Sequence, residues 1–222
     1  MDLSALKWSK DGLMPVVAQH RHNGELCMVA YANQEALERT LATRTAHFFS
    51  RSRQALWQKG ETSGNVLHIA EVWTDCDADT LVYLVDPTGP SCHTGKRQCF
   101  FNRLDTDHQS SQDQPFASPT LVRLEDILAA RTQRSATKSY TRSLLERGVE
   151  TINAKIREEA EELTQALAHE SDERVDSETA DLLYHSLVGL MARQRSLSDV
   201  AQVLATRFGQ SGHAEKASRQ GT

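Results

Sequence analysis

The sequence predicts two domains of different class, an α+β domain dominated by strands followed by an all-α bundle. Three observations carry this expectation. Apolar runs of strand length, separated by turn-forming residues, fill the chain as far as Arg103; a polar stretch with two prolines follows; beyond it apolar residues recur at helical spacing and proline is absent. A chain of 222 residues has room for one large domain or two small ones.

In order, Met14–Ala18 and Leu26–Tyr31 read as strands parted by the turn-rich His22-Asn23-Gly24. Asn33 caps a helix whose buried face is Ala36, Leu37, Thr40 and Leu41. His47–Phe49, Leu67–Trp73 and Thr80–Val85 read as further strands, with loops at 60–65 and 87–90. Residues 1–104 form this first domain, and 105–119, too poor in apolar residues to pack, a linker. Residues 120–209 form the helical domain. Ile152, Ile156, Ala160, Leu163 and Leu167 lie along one helical stripe, and Leu182, Leu183, Leu187, Val188, Leu190 and Met191 make a second apolar face. Residues 210–222 are expected to be a flexible tail.

A formal net charge of −5 without a long basic block argues against duplex nucleic acid as a partner. No apolar run approaches the roughly 18 residues of a membrane span, and the first residues lack the pattern of a signal peptide. The expected compartment is the cytoplasm, where thiols stay reduced. Clustered cysteines beside Asp and His then read as metal ligands rather than disulfides. Cys27 is the exception: inside the apolar run Leu26–Ala30 it reads as a buried core thiol.

The most informative stretch is Asp75-Cys76-Asp77-Ala78-Asp79. If extended, it sends Asp75, Asp77 and Asp79 to one face and Cys76 to the other. Three carboxylates suit a hard cation such as magnesium, and a thiolate suits zinc. An EF-hand loop is excluded, because Thr80 stands where that loop needs Gly. Cys92 and Cys99 bring the candidate thiolates to three, which leaves an open position for water. His93 either closes the site as a fourth ligand or serves beside it as general acid or base. Upstream, Arg51, Arg53, Trp57, Lys59, Glu61, Thr62 and Ser63 combine basic side chains, hydroxyls and glycines in a manner that suits a phosphorylated ligand, although a solvated hairpin reads the same way.

The motifs SRSR-x-x-LW-x-KGETSGN, DCDADTL and GPSCHTGKRQCF, in this order, closely resemble phosphoribosyl-AMP cyclohydrolase of histidine biosynthesis, over roughly Gly12 to Arg103. The resemblance implies that Cys76, Cys92 and Cys99 bind zinc, that Asp75, Asp77 and Asp79 bind magnesium, and that the zinc is shared across a homodimer interface. It also implies the chemistry: zinc-bound hydroxide attacks C6 of the adenine of phosphoribosyl-AMP, the N1–C6 bond breaks, and His93 shuttles the proton. Two positions depart from the family pattern: Gln98, where Ser is usual, and His20, where Asp is common.

In the helical half, Glu158, Glu159 and Glu162 crowd one helix, and Glu178, Asp181 and His185 step by three and four along another. A solvated acidic face is the plain reading of the first group. The second changes it, since two antiparallel helices facing these stripes could hold magnesium against a diphosphate. E-x-x-E followed by E-x-x-D resembles the MazG-like nucleotide pyrophosphohydrolases. SYT-x-x-LL-x-x-G, KIREEAEEL and ETADLLYH resemble phosphoribosyl-ATP pyrophosphohydrolase more closely, from about Ser139 to Arg207, with Arg157 in place of a usual Gly. By that resemblance Glu158, Glu159, Glu162, Glu178 and Asp181 hold magnesium. The two families catalyse consecutive steps, so a bifunctional enzyme taking phosphoribosyl-ATP and then phosphoribosyl-AMP is expected. The rival is a non-catalytic, zinc-stabilised interaction domain fused to a dimerising bundle. Three cysteines instead of four, and an unpaired aspartate triad, count against it.

Overall fold

Strand β1 (Met14–His20) buries every second residue from Met14 to Ala18, and β6 (Leu81–Pro87) does the same from Leu81 to Val85. That period of two makes each half-buried, with one face turned to a core. The two pair in parallel, Val16 opposite Leu81 and His20 opposite Val85. A parallel pair cannot be closed by a tight turn, so the chain between them builds most of the domain. It forms β2 (Leu26–Ala32), α1 (Gln34–Thr43), β3 (His47–Ser50), β4 (Ala55–Gln58) and β5 (Leu67–Thr74). The main sheet has the order β2-β1-β6-β5, antiparallel except at β1/β6, and β3 and β4 form a separate hairpin. Strand β4 has no counterpart in the sequence reading, because its four residues alternate too briefly to stand out beside the basic turn before it.

Helix α1 starts where expected: Asn33 accepts a hydrogen bond from the Ala36 N–H (2.9 Å). Its Ala36 and Leu37 belong to one buried cluster with Phe48, Tyr83 and the inward residues of β1. Phe48 sits 5.1 Å from the Trp57 ring and 5.9 Å from Tyr83, which joins the hairpin to the sheet through one aromatic cluster. Cys27 is buried there, as expected of a core thiol.

The computed structural model describes residues 3–104, 116–133 and 139–208, and divides into two units between Pro119 and Thr120. Residues 105–115 and the expected tail, 210–222, lie outside the described residues. The end of the segment read as a linker is described, and it is tied to the first unit. The Ala117 N–H donates to Phe100 O (3.1 Å) and the Ser118 hydroxyl to Glu25 Oε1 (2.7 Å). Low apolar content suggested a free connection, but here a polar side chain is held by a buried carboxylate.

The second unit is all-α: α2 (Thr120–Gln133), α3 (Tyr140–Arg147), α4 (Val149–His169), α5 (Asp172–Ala192) and α6 (Leu197–Ala205). Its core is Leu128, Leu144, Ile152, Leu187 and Val188. Two residues of the expected stripes face water instead: Leu167 is exposed while Ala166 is buried, and Leu183 is also exposed. The two long helices α4 and α5 are joined through Glu170 and Ser171, so they run antiparallel. Arg157 is an exposed residue within the continuous α4, not part of a turn.

Thr40 tests the packing of α1. Its hydroxyl donates to Ala36 O (2.8 Å) and accepts from the buried His47 N–H (2.9 Å). Thr40→Val keeps the volume but strands that N–H, so it is expected to cost about 1–3 kcal/mol, read by urea unfolding with fluorescence from Trp8, Trp57 and Trp73, all in the first unit.

Candidate functional sites

The loop leaving β4 and the segment following β6 face each other across a pocket of about 440 Å3. One wall carries Arg53, Trp57, Lys59, Glu61, Thr62 and Ser63; the other carries Cys92, His93 and Cys99. Two motifs some thirty residues apart thus meet at one site. Arg51 is placed elsewhere: its guanidinium lies 3.9 Å over the Tyr31 ring, in a neighbouring pocket that Arg53 and Trp57 also line. Asn65, Ser91 and Met28 line the first pocket as well. Of these, Asn65 lay within a recognised motif, but Met28 reads as core and gives no signal of its role.

Gly60 makes the loop. It has φ +90°, and a Cβ there would come within 2.6 Å of Asn65 and Val66 backbone atoms. Lys59, buried, donates through Nζ to Asn65 O (3.2 Å); burial lowers its pKa, and the thiols of Cys99 and Cys92 offset part of that. Across the pocket, Thr94 Oγ1 donates to Cys92 Sγ (3.1 Å), and this bond holds the Cys92 thiol below its ordinary range. Burial, with Cys92 beside it, pushes Cys99 up to about 11. His93 Nδ1 is 3.9 Å from Cys92 Sγ. Two thiols pushed apart in acidity suit a site completed by a cation, which favours both thiolates at once.

Cys76 is not with them. It is exposed and follows the end of β5, next to the start of β6, whereas Cys92 follows the other end of β6. Seven extended residues span roughly 20 Å, far more than the ~2.3 Å of a zinc–sulfur bond allows around one ion. The aspartates also differ from expectation. Residues 75–80 form a turn rather than a strand, because Asp75 Oδ1 accepts the N–H groups of Asp79 (3.0 Å) and Thr80 (3.1 Å). The turn, not the period of a strand, gathers Asp75, Asp77 and Asp79, whose oxygens come within 4.8 Å of one another. His20 and Gln98, the two departures, stay off the pocket. His20 Nδ1 accepts from the His22 N–H (3.2 Å), and Gln98 is buried against Glu25.

The second unit holds a separate cluster. Glu159 of α4 and Glu178 and Asp181 of α5 bring carboxylate oxygens within 4.8 Å of one another. Glu159 and Glu178 are both buried. Burial pushes the Glu178 carboxyl above its ordinary range; Arg174 opposes this, and Glu162 and Asp181 add to it. Glu158 turns away to Lys155 (2.8 Å) and is outside the cluster, while Lys155 also reaches Glu159 (3.0 Å). His185, one turn beyond Asp181, is buried and puts Nε2 3.4 Å from Glu159. It stood on the acidic stripe in the sequence, yet only its burial marks it as part of the site. Like charges buried this close are relieved by protonation or by a cation, and the donor set fits a divalent metal held through oxygen.

The sequence model of the phosphoribosyl-AMP cyclohydrolase family matches residues 28–101, and that of the phosphoribosyl-ATP pyrophosphohydrolase family matches residues 121–208. The chain is thus a two-domain enzyme acting on small nucleotide substrates. Similar proteins are named as bifunctional over nearly the whole of this chain. The histidine biosynthesis bifunctional protein HisIE of Wolinella succinogenes is 43% identical over 98% of this chain and 97% of its own length. That of Thermus thermophilus is 42% identical over 93% of this chain and 94% of its own, and the chloroplastic protein of Arabidopsis thaliana 42% identical over 98% and 80%. The chain belongs to this family of bifunctional enzymes of histidine biosynthesis. No helix among the described residues is long and apolar enough to cross a membrane.

Gly60→Ala is expected to lower the stability of the first domain by about 1–3 kcal/mol, the usual cost of such backbone strain, and to reduce cyclohydrolase activity. Urea unfolding and assays of both reactions check this, with pyrophosphohydrolase turnover expected to stay at the wild-type level.

Proposed function

We propose that the helical domain hydrolyses phosphoribosyl-ATP to phosphoribosyl-AMP and pyrophosphate, and that the N-terminal domain then opens the adenine ring of phosphoribosyl-AMP. The observation that carries the second half is the pocket in which Lys59, Thr62 and Ser63 face Cys92, His93 and Cys99. Cys92 and Cys99 would hold zinc, and zinc would supply a water ionised near neutral pH for attack at C6. Arg53, Lys59, Thr62 and Ser63 bind phosphate groups through charge and hydroxyl donors, and Trp57 offers a flat apolar face to the nucleotide. His93 moves the proton: its imidazole, free of the sheet, accepts it from the attacking water and returns it at N1 as the N1–C6 bond breaks.

The third thiolate comes from Cys76 of a second copy, which makes the enzyme a homodimer. The separation of Cys76 from Cys92 along β6 supports this, as does Trp73, which is 58% exposed next to the Asp75–Asp79 turn. Asp75, Asp77 and Asp79 would hold magnesium through oxygen. In the helical domain Glu159, Glu162, Glu178 and Asp181 would hold magnesium, whose charge would offset that of the phosphoanhydride. His185, with Nε2 3.4 Å from Glu159, holds that carboxylate in place. Glu158, turned to Lys155, has a lesser part. The compartment of this reading is the cytoplasm, where thiols stay reduced and free to bind metal.

The purified protein is expected to carry about one zinc per subunit, with Cys92→Ser losing it and His93→Ala keeping it while losing most ring opening. Elemental analysis alongside the cyclohydrolase assay separates ligand from proton carrier: zinc-free His93→Ala protein would make the histidine a ligand.

Glu159→Gln removes one negative charge from the α4/α5 cluster with almost no change of shape. Phosphoribosyl-ATP hydrolysis should fall by roughly two orders of magnitude or more, as misplaced reactants do, while supplied phosphoribosyl-AMP is opened at nearly the wild-type rate. Loss of both activities at normal zinc content and circular dichroism would contradict the two-site reading.

A further inference from the structure

Glu25, the residue immediately before β2, is only 2% exposed. Its Oε1 accepts three hydrogen bonds, from Arg97 Nη2 (2.6 Å), Gln98 Nε2 (3.0 Å) and Ser118 Oγ (2.7 Å). Gln98 Nε2 also donates to Ser118 Oγ (3.1 Å), and Gln98 is 1% exposed. A buried carboxylate is costly unless its charge is paired and its lone pairs are filled. Here one guanidinium supplies the charge; the Gln98 amide and the Ser118 hydroxyl complete Oε1, and the Asn23 amide donates to Oε2 (3.3 Å).

The donors come from two places in the chain. Arg97 and Gln98 immediately precede Cys99. Ser118 belongs to Phe116–Pro119, and each of these four residues meets the same region. Arg97 lies over the Phe116 ring at 4.8 Å, and the Ala117 N–H donates to Phe100 O (3.1 Å). Ser118 reaches Glu25, and the Pro119 ring comes to 3.6 Å from where a Cβ on Gly24 would stand.

The backbone carries this anchoring to the thiols. Arg97 O accepts from the Ser91 N–H (3.0 Å), beside Cys92, and the Cys99 N–H donates to Cys27 O (3.0 Å), two residues along from Glu25. We infer that residues 116–119 are a strap, and that Ser118, acting through Glu25 and Gln98, is a positioning residue for Cys92 and Cys99. Gln98 joins the strap to its anchor, because its Nε2 lies within hydrogen-bond distance of both Glu25 Oε1 and Ser118 Oγ. The strap's effect on metal rests on the reading that these thiols hold zinc; its effect on the loop does not.

The test uses the full chain with Ser118→Ala and Ser118→Thr, the second keeping the hydroxyl. Amide exchange over residues 91–100 is measured in metal-free protein, and zinc transfer to a chromogenic chelator in the metal-loaded form. In Ser118→Ala, exchange over 91–100 should quicken relative to the rest of the domain. Its zinc affinity should weaken by roughly tenfold, the scale on which residues behind metal ligands act. Ser118→Thr should match wild type in both, and pyrophosphohydrolase turnover should be unchanged in all. Unchanged exchange over 91–100 in Ser118→Ala, even with a lower unfolding temperature, overturns the strap as a positioning element. Faster exchange in a protein that binds no zinc upholds the strap and overturns the zinc reading alone.

Discussion

The first domain depends on the parallel pairing of β1 with β6. Parallel neighbours need a long crossover, and that crossover supplies the edge strand β2, the covering helix and the β3–β4 hairpin. The pairing also fixes where the ends of β6 lie. Before its first residue comes the aspartate turn with Cys76; after its last comes the loop with Cys92 and Cys99. Because β2 lies beside β1, the Cys99 backbone can anchor on Cys27, and the loop is held over the hairpin that carries Lys59. The pocket follows from strand order.

Buried charge governs both domains, with opposite outcomes. Glu25 is compensated within the protein by Arg97, Gln98 and Ser118, and so serves as an anchor. Glu159 and Glu178 are only partly compensated, by Lys155 and Arg174 on the flanks, with Asp181 and Glu162 adding negative charge. A carboxylate group left short of positive charge in a low-dielectric site is primed for a cation. The α4/α5 pairing creates that deficit, since each helix alone exposes its acids to water.

Much of the architecture could be read in advance because its signals are local. The Asn33 cap, the alternation in β1 and β6 and the spacing around Ile152 and Leu187 each reflect how one segment meets one core. The errors were also local. Strand β4 is short, and its alternation is masked by the neighbouring arginines. Leu167 lies near the end of α4, one position round the helix from Ala166, and it is Ala166 that takes the buried place. The aspartate stretch has strand periodicity, but side-chain acceptance by Asp75 turns it into a loop.

The sequence by itself determined the two fold classes and the donor types: thiols and aspartates in one half, paired glutamates in the other, with the family motifs around them. These are properties of residue identity and spacing, which no packing is needed to express. Only the tertiary structure decided which donors share a site. It brought Lys59 to Cys92, left Arg51 and Glu158 aside, drew in His185, set Cys76 at the far end of β6, and tied Ser118 to Glu25. The physical reason is that a ligand site needs atoms within a few ångströms, and residues distant in sequence reach that separation only through strand order and helix pairing.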